Sequence, residues 1–306
     1  MDLKHLSLST LRCPFSCYNE KVRVTIVGLG LIGGSIGLAL NKANMPKWEI
    51  VGYARRPEVA SITLNLGVTD RVETNLEKAV EEADLVVIAT PVLTIREIFS
   101  RIASHLPNGC IVTDTASTKL QVMEWAEDLL PSRVSFVGGH PMAGKESYGI
   151  QSAEAELFQG CIYCLTTTEK TSPQAIDKVA KMVKKLGATP LFIDAQEHDD
   201  LVAGISHLPM LLSASLVSAT ARDSTWHEMS RLAASGYRDL TRLASGNPEV
   251  NAHICFTNQA AILRWIDKFN QELAKYRQLV ANQDRRLEEA LTEANKARQQ
   301  WLSKTQ

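Results

Sequence analysis

Short apolar runs rich in β-branched residues recur along the first two-thirds of the chain, separated by stretches with a helical period. "VRVTIV" passes through a glycine turn into the small-residue helical stretch "LIGGSIGLALNKA". "WEIVGY" is the second run, "ADLVVIATPV" (83–92) the third, "CIVTDTAS" (110–117) the fourth and "VSFVGGHP" (134–141) the fifth. "NLEKAVEEA" and "VLTIREIFSRIASHL" carry helical patterns between them. Continuously apolar strands alternating with helices predict a parallel-rich sheet covered on both faces. "CIYCLTTT", the helical "SPQAIDKVAKMVKKLG" and "TPLFID" extend that α/β unit.

The pattern changes after Asp194, beyond which only helical periodicity remains. The division predicted is an N-terminal extension (1–20), an α/β domain (21–194) and an all-α domain (195–306). The segment from "NQAAILRW" to "QQWLSK" reads as one long helix. Its first part packs in a core, and its charged last third is solvated or docked on a partner subunit.

Composition narrows the class. With 306 residues, 45% hydrophobic and 22% charged, the chain is of ordinary soluble type, and its net charge of −1 offers no basic field for nucleic acid or anionic membrane. No transmembrane span is expected, and the N-terminal stretch lacks the apolar core of a signal peptide. Six cysteines make no disulfide framework, and Cys161 and Cys164 read as two buried thiols of a strand. A reducing, cytoplasmic setting is expected.

Gly28-Leu-Gly30-Leu31-Ile32-Gly33 is a G-x-G-x-x-G between a strand and a helix, the context a dinucleotide site requires. Gly28 suits the tight turn, Gly30 a close approach of backbone to pyrophosphate, and Gly33 close helix–sheet packing, with Leu31 and Ile32 opening the helix. An NAD site would carry an acid at the end of the second strand. This chain has Ala54 followed by Arg55 and Arg56, which fit the 2′-phosphate of NADP; NAD is the alternative. Ligands bind beyond the carboxyl ends of such strands, where Thr90, Pro91, Asp114 and His140 fall. His140, between two glycines and a proline, is predicted to project from a rigid turn as an acid–base group.

"VGLGLIGGS", "TDTASTK", "GGHPMAGKES", "ISHLP" and "ASGYRDLTRLASGNPE" occur in this order. Together they resemble the prephenate/arogenate dehydrogenase family of tyrosine biosynthesis, over roughly residues 22 to 275. The resemblance implies a Rossmann-type domain followed by a helical dimerisation domain. It implies oxidative decarboxylation of prephenate to 4-hydroxyphenylpyruvate with hydride transfer to NAD(P)+, or of arogenate directly to tyrosine. It makes His140 the catalytic histidine that takes the ring-hydroxyl proton and Ser117 the serine that assists it. Arg238 would bind a substrate carboxylate, and His207 would line the pocket.

Each residue also has a structural reading: Ser117 as a helix cap, Arg238 as partner of Asp239 or a core acid, His207 as a packed core histidine. Lys119 and Arg242 are further anion contacts to consider. No cluster has metal-ligand spacing, and "EHDD" (197–200) reads as the acidic start of a helix. The competing readings are a hydroxyacid-type dehydrogenase, which would leave "GGHPMAG" unexplained, and a non-catalytic dinucleotide-binding dimer.

Overall fold

The computed structural model describes residues 21–43 and 48–304; the expected extension at 1–20 lies outside the described residues. One sheet of eight strands organises the first half: β1 (Val22–Val27), β2 (Trp48–Tyr53), β3 (Arg71–Glu73), β4 (Leu85–Ile88), β5 (Ile111–Asp114), β6 (Ser135–Pro141), β7 (Ile162–Thr166) and β8 (Thr189–Phe192). Their spatial order is β3-β2-β1-β4-β5-β6-β7-β8. The first six strands run parallel, β7 runs antiparallel to β6, and β8 is parallel to β7. The order reverses between β1 and β4, which opens a crevice at their carboxyl ends.

Helices α1 (Leu31–Lys42), α2 (Pro57–Asn65), α3 (Leu76–Val80), α4 (Val92–Ile102), α5 (Leu120–Leu129) and α6 (Pro173–Lys185) connect the strands. Alternate residues of each strand feed opposite cores. Val24, Ile26, Leu85 and Val87 pack with Ile36 and Leu40 of α1, whereas Val27, Val86 and Ile88 pack with Ile95 and Phe99 of α4. β3 was not expected. It is a three-residue edge strand, Arg-Val-Glu, too short and too polar to show an apolar run.

Everything after β8 is helical: α7 (Ala195–Val202), α8 (Leu208–Ala221), α9 (Trp226–Leu232), α10 (Ser235–Thr241), α11 (Pro248–Thr257), α12 (Gln259–Ala281) and α13 (Arg286–Leu302). The expected single long helix at the end is two helices. Gln283 takes φ 49° between α12 and α13, and Asp284 accepts the Arg286 backbone N–H at 2.9 Å to start the second. Leu201 and Ile205 on the α7–α8 rod are 53% and 73% exposed.

α7 and α8 are joined by a π turn, Ala203–His207, into one continuous rod. Its most apolar window has a mean hydropathy of 1.6 and is only 28% buried, so by length and composition a candidate span does exist, contrary to the sequence expectation. The rod nonetheless carries the buried polar residues His198, Asp199 and His207. Side chains from elsewhere bond the carbonyls just before the π turn. Asn258 donates to the carbonyl of Asp199 at 2.7 Å, and the Trp265 indole donates to that of Asp200 at 3.1 Å. Groups that compete for helix carbonyls widen a helix locally.

Candidate active site

The crevice beside β1 and β4 is a cleft of about 720 Å³. Gly28, Gly30, Ala54, Arg55, Arg56, Thr90 and Pro91 line it. Gly28 has φ +103°, and a Cβ on Gly33 would stand 2.0 Å from the Gly28 carbonyl, so the loop folds against α1 only with glycine at both positions. A Cβ on Gly30 would meet nothing, so open space lies where a diphosphate would approach. No side chain caps α1, and the N–H groups of Leu31 and Ile32 make no bond within the described residues. The positive end of a twelve-residue helix thus faces the loop. Arg55 and Arg56 are exposed and have no ion-pair partner among the described residues. These features fit a nicotinamide dinucleotide.

Leu31, Ile32 and Gly33 do not line the cleft themselves; the first two offer backbone, the third packing. Asp114 needs a larger correction. Expected at the cofactor, it is fully buried. One carboxylate oxygen accepts the Gly139 N–H at 3.0 Å; the other accepts the Ala116 N–H at 2.9 Å and the Lys119 ammonium. Lys119 donates also to the Gly139 carbonyl at 2.6 Å. Lys119 is therefore internal, not an anion contact, and its pKa is lowered by burial against the opposing pull of Asp114. Together they clamp the residue before His140.

His140 does not stand on a turn. It lies within β6, paired across to Cys164 of β7, and is only 8% exposed. Gly139 is there for space, since a Cβ would come within 2.5 Å of the Asp114 carbonyl. Burial holds the His140 pKa well below its ordinary value of 6.5, and His198, Lys119 and His207 push the same way. The ring is thus neutral, with a lone pair on one nitrogen.

Nδ1 of His140 meets Nε2 of His198 at 2.9 Å, and Nδ1 of His198 meets Asp199 Oδ1 at 2.8 Å. Asp199 also accepts the backbone N–H groups of Lys119 at 2.7 Å and Leu120 at 3.0 Å. It therefore caps α5, the task that Ser117 was offered as a structural reading. The Ser117 hydroxyl makes no bond within the described residues and is half-buried.

His207 accepts at Nδ1 from Asn258 at 3.3 Å, while its buried Nε2 lacks a partner at hydrogen-bond geometry. Burial pushes its pKa down to about 4, against the pull of Asp199 and of the nearby Ser117 carbonyl. Arg238 of α10 is exposed and reaches neither His140 nor the cleft through any bond among the described residues. Arg242, one turn on, pairs with Glu146 in the loop that follows β6.

Sequence reasoning missed His198 and Asp199. A signal existed: Ala195, His198, Asp199 and Val202 form the buried stripe of α7, so two polar residues occupy core-facing positions. The C-x-x-C cysteines are free thiols, Cys164 within β7 and Cys161 just before it.

The family models for the nucleotide-binding and dimerisation domains of prephenate dehydrogenase match residues 36–191 and 194–294. The prephenate dehydrogenase of Bacillus subtilis is 38% identical over 266 residues, 86% of this chain and 71% of that protein. Among solved structures, the prephenate dehydrogenase of A. aeolicus, in complex with hydroxyphenyl propionate and NAD+, superimposes with a TM-score of 0.86 at 30% identity, covering 92% of this chain and 99% of that one. Synechocystis arogenate dehydrogenase gives 0.77 at 31% identity, covering 92% and 100%.

Proposed function

The chain belongs to the prephenate dehydrogenase family, and from that premise we propose that it converts prephenate to 4-hydroxyphenylpyruvate in tyrosine biosynthesis. A nicotinamide dinucleotide held by the Gly28–Gly33 loop and the first turn of α1 would supply the hydride acceptor for the ring carbon that bears the hydroxyl. His140 takes the hydroxyl proton, the ring carboxylate leaves as carbon dioxide, its bonding electrons complete the aromatic ring as the new carbonyl becomes a phenolate, and His140 returns its proton to that oxygen. The observation that carries this reading is a buried, neutral His140 grouped with the free hydroxyl of Ser117 and the unpartnered Nε2 of His207. Aromatisation drives the loss of carbon dioxide, and the protonated His140 is the acid that completes the phenol, so no second acid is needed. A positioned general base contributes about 10²–10⁴-fold.

Ser117 hydrogen-bonds the same hydroxyl, and His207 offers Nε2 to the substrate. A carboxylate calls for a planar two-point cation. Arg238 is the arginine proposed for it, exposed and without an ion-pair partner among the described residues, whereas Arg242 is paired with Glu146.

NADP is the preferred dinucleotide, supported by Ala54 where an acid would repel a 2′-phosphate and by the unpaired Arg55 and Arg56. The protein works as a homodimer through its helical domain, a reading supported by the exposed apolar face of the α7–α8 rod. The free thiols among the described cysteines support a cytoplasmic setting. Arogenate is the alternative substrate, as a solved relative of similar identity bears that name.

The test follows the reduced nicotinamide absorbance with prephenate and arogenate, each with NADP+ and NAD+. Turnover of prephenate is expected. Absence of turnover with all four pairs would leave a dinucleotide-binding dimer as the reading.

A further inference from the structure

We propose that His198 and Asp199 are positioning residues that hold the His140 proton on Nδ1 and so make Nε2 the atom that accepts the substrate proton. The proposal rests on the reading of His140 as the base and adds which nitrogen does the work and what enforces it.

The hydrogen-bond chain fixes the protons in order. Both oxygens of Asp199 already accept backbone N–H groups, from Lys119 and from Leu120, and a backbone amide can only donate. The atom facing Oδ1 at 2.8 Å, Nδ1 of His198, is therefore the donor of that contact. A neutral imidazole with its hydrogen on Nδ1 presents only a lone pair at Nε2. The contact of that Nε2 with Nδ1 of His140, at 2.9 Å, then takes its hydrogen from His140. Nε2 of His140 is left with a lone pair and with no partner among the described residues.

The chain is rigid as well as ordered. His198 and Asp199 are each 1% exposed. Asp199 is held by the first N–H groups of α5, and its carbonyl by Asn258 of the last helical layer. Cys164 is the cross-strand neighbour of His140, and the rings of His140 and His198 meet edge to face with centroids 5.1 Å apart. When His140 takes a proton at Nε2, its Nδ1–H keeps donating to His198, whose far side is held by the carboxylate. No proton needs to move along the chain; the carboxylate fixes tautomer and orientation.

The protons are read directly in the full-length protein with ¹⁵N-labelled histidine, by long-range ¹H–¹⁵N correlation, with His140→Asn and His198→Gln supplying the assignments. The expected spectrum has pyrrole-type Nδ1 and pyridine-type Nε2 on both rings. A hydrogen on Nε2 of His140, or a doubly protonated His198, overturns the proposal whatever the enzyme turns over.

Kinetics give a second reading. His198→Leu, which cannot accept from Nδ1, should lower kcat by about 10- to 100-fold with KM within about twofold, and His198→Gln, whose amide oxygen can accept, should recover to within about fivefold of wild type. Equal rates for the two variants, or a leucine variant as fast as wild type, would defeat it. A wild-type enzyme inert toward both substrates would refute the functional reading while the spectrum still decided the tautomer.

Discussion

The carboxylate of Asp114 and the ammonium of Lys119, both without solvent exposure, form an ion pair whose other bonds all go to the backbone around Gly139 and Ala116. Removing one partner of a buried pair leaves the other charged and unpaired. Lys119→Met should therefore destabilise the fold by about 3–5 kcal/mol. Chemical denaturation measures this, and a loss below about 1 kcal/mol would show that Asp114 does not depend on the lysine.

His140→Asn should lower kcat by about 10²-fold or more while dinucleotide affinity stays nearly unchanged, since the cleft at β1 and β4 does not include that residue. Steady-state kinetics and a cofactor titration separate the two. Activity within about tenfold of wild type would remove His140 from the chemistry.

Acid should cost this protein stability through two rings. His207 is pushed to about 4 and His140 lies well below 6.5, so the folded chain holds fewer protons on them than the unfolded chain does. A depressed folded pKa means that the contribution is fully present above 6.5 and lost as pH falls from there toward 4. Tm should drop over that window, and His207→Asn should flatten the drop. A variant whose Tm follows pH as steeply as wild type would contradict the assignment.

Replacing Arg55 and Arg56 together by alanine should raise KM for NADP+ by about tenfold or more and leave KM for NAD+ within about twofold. The comparison is internal to one variant, so a general loss of folding would move both values. A parallel rise would mean that the two guanidinium groups do not read the 2′-position.

The protein should be a dimer at micromolar concentration by light scattering, and Ile205→Glu should shift it toward monomer. Ile205 is 73% exposed in the single chain, on a rod too apolar to favour water. A dimer of wild-type strength after that substitution would move the interface elsewhere.

Much of this arrangement was legible in the chain. Both-face apolar runs announced a parallel-rich sheet because buried strands leave no polar alternation, and the glycine loop announced the crevice because few other residues fit it. What stayed hidden depends on distant partners. The α12–α13 break has helical periodicity on both sides, so only the turn at Gln283 reveals it. The π turn is flanked by bonds from Asn258 and Trp265, more than fifty residues away in sequence. Asp114 was placed at the cofactor by its position at a strand end, and only Lys119 and Gly139 show why it points inward. The acids at 197–200 do lie at a helix start, with Glu197 in the first turn of α7 behind the Asp194 cap, but the burial of His198 and Asp199 in that helix shows only in the fold.

Asp199 ties the two halves of the molecule together by its side chain. It belongs to the helical half, yet it closes the start of a helix in the sheet half and, through His198, stands behind His140. Cut at residue 194, the sheet half would keep its crevice for dinucleotide and lose the scaffold of its base. The crevice is lined by the sheet half alone, whereas the surroundings of His140 exist only where the chain has folded back on itself.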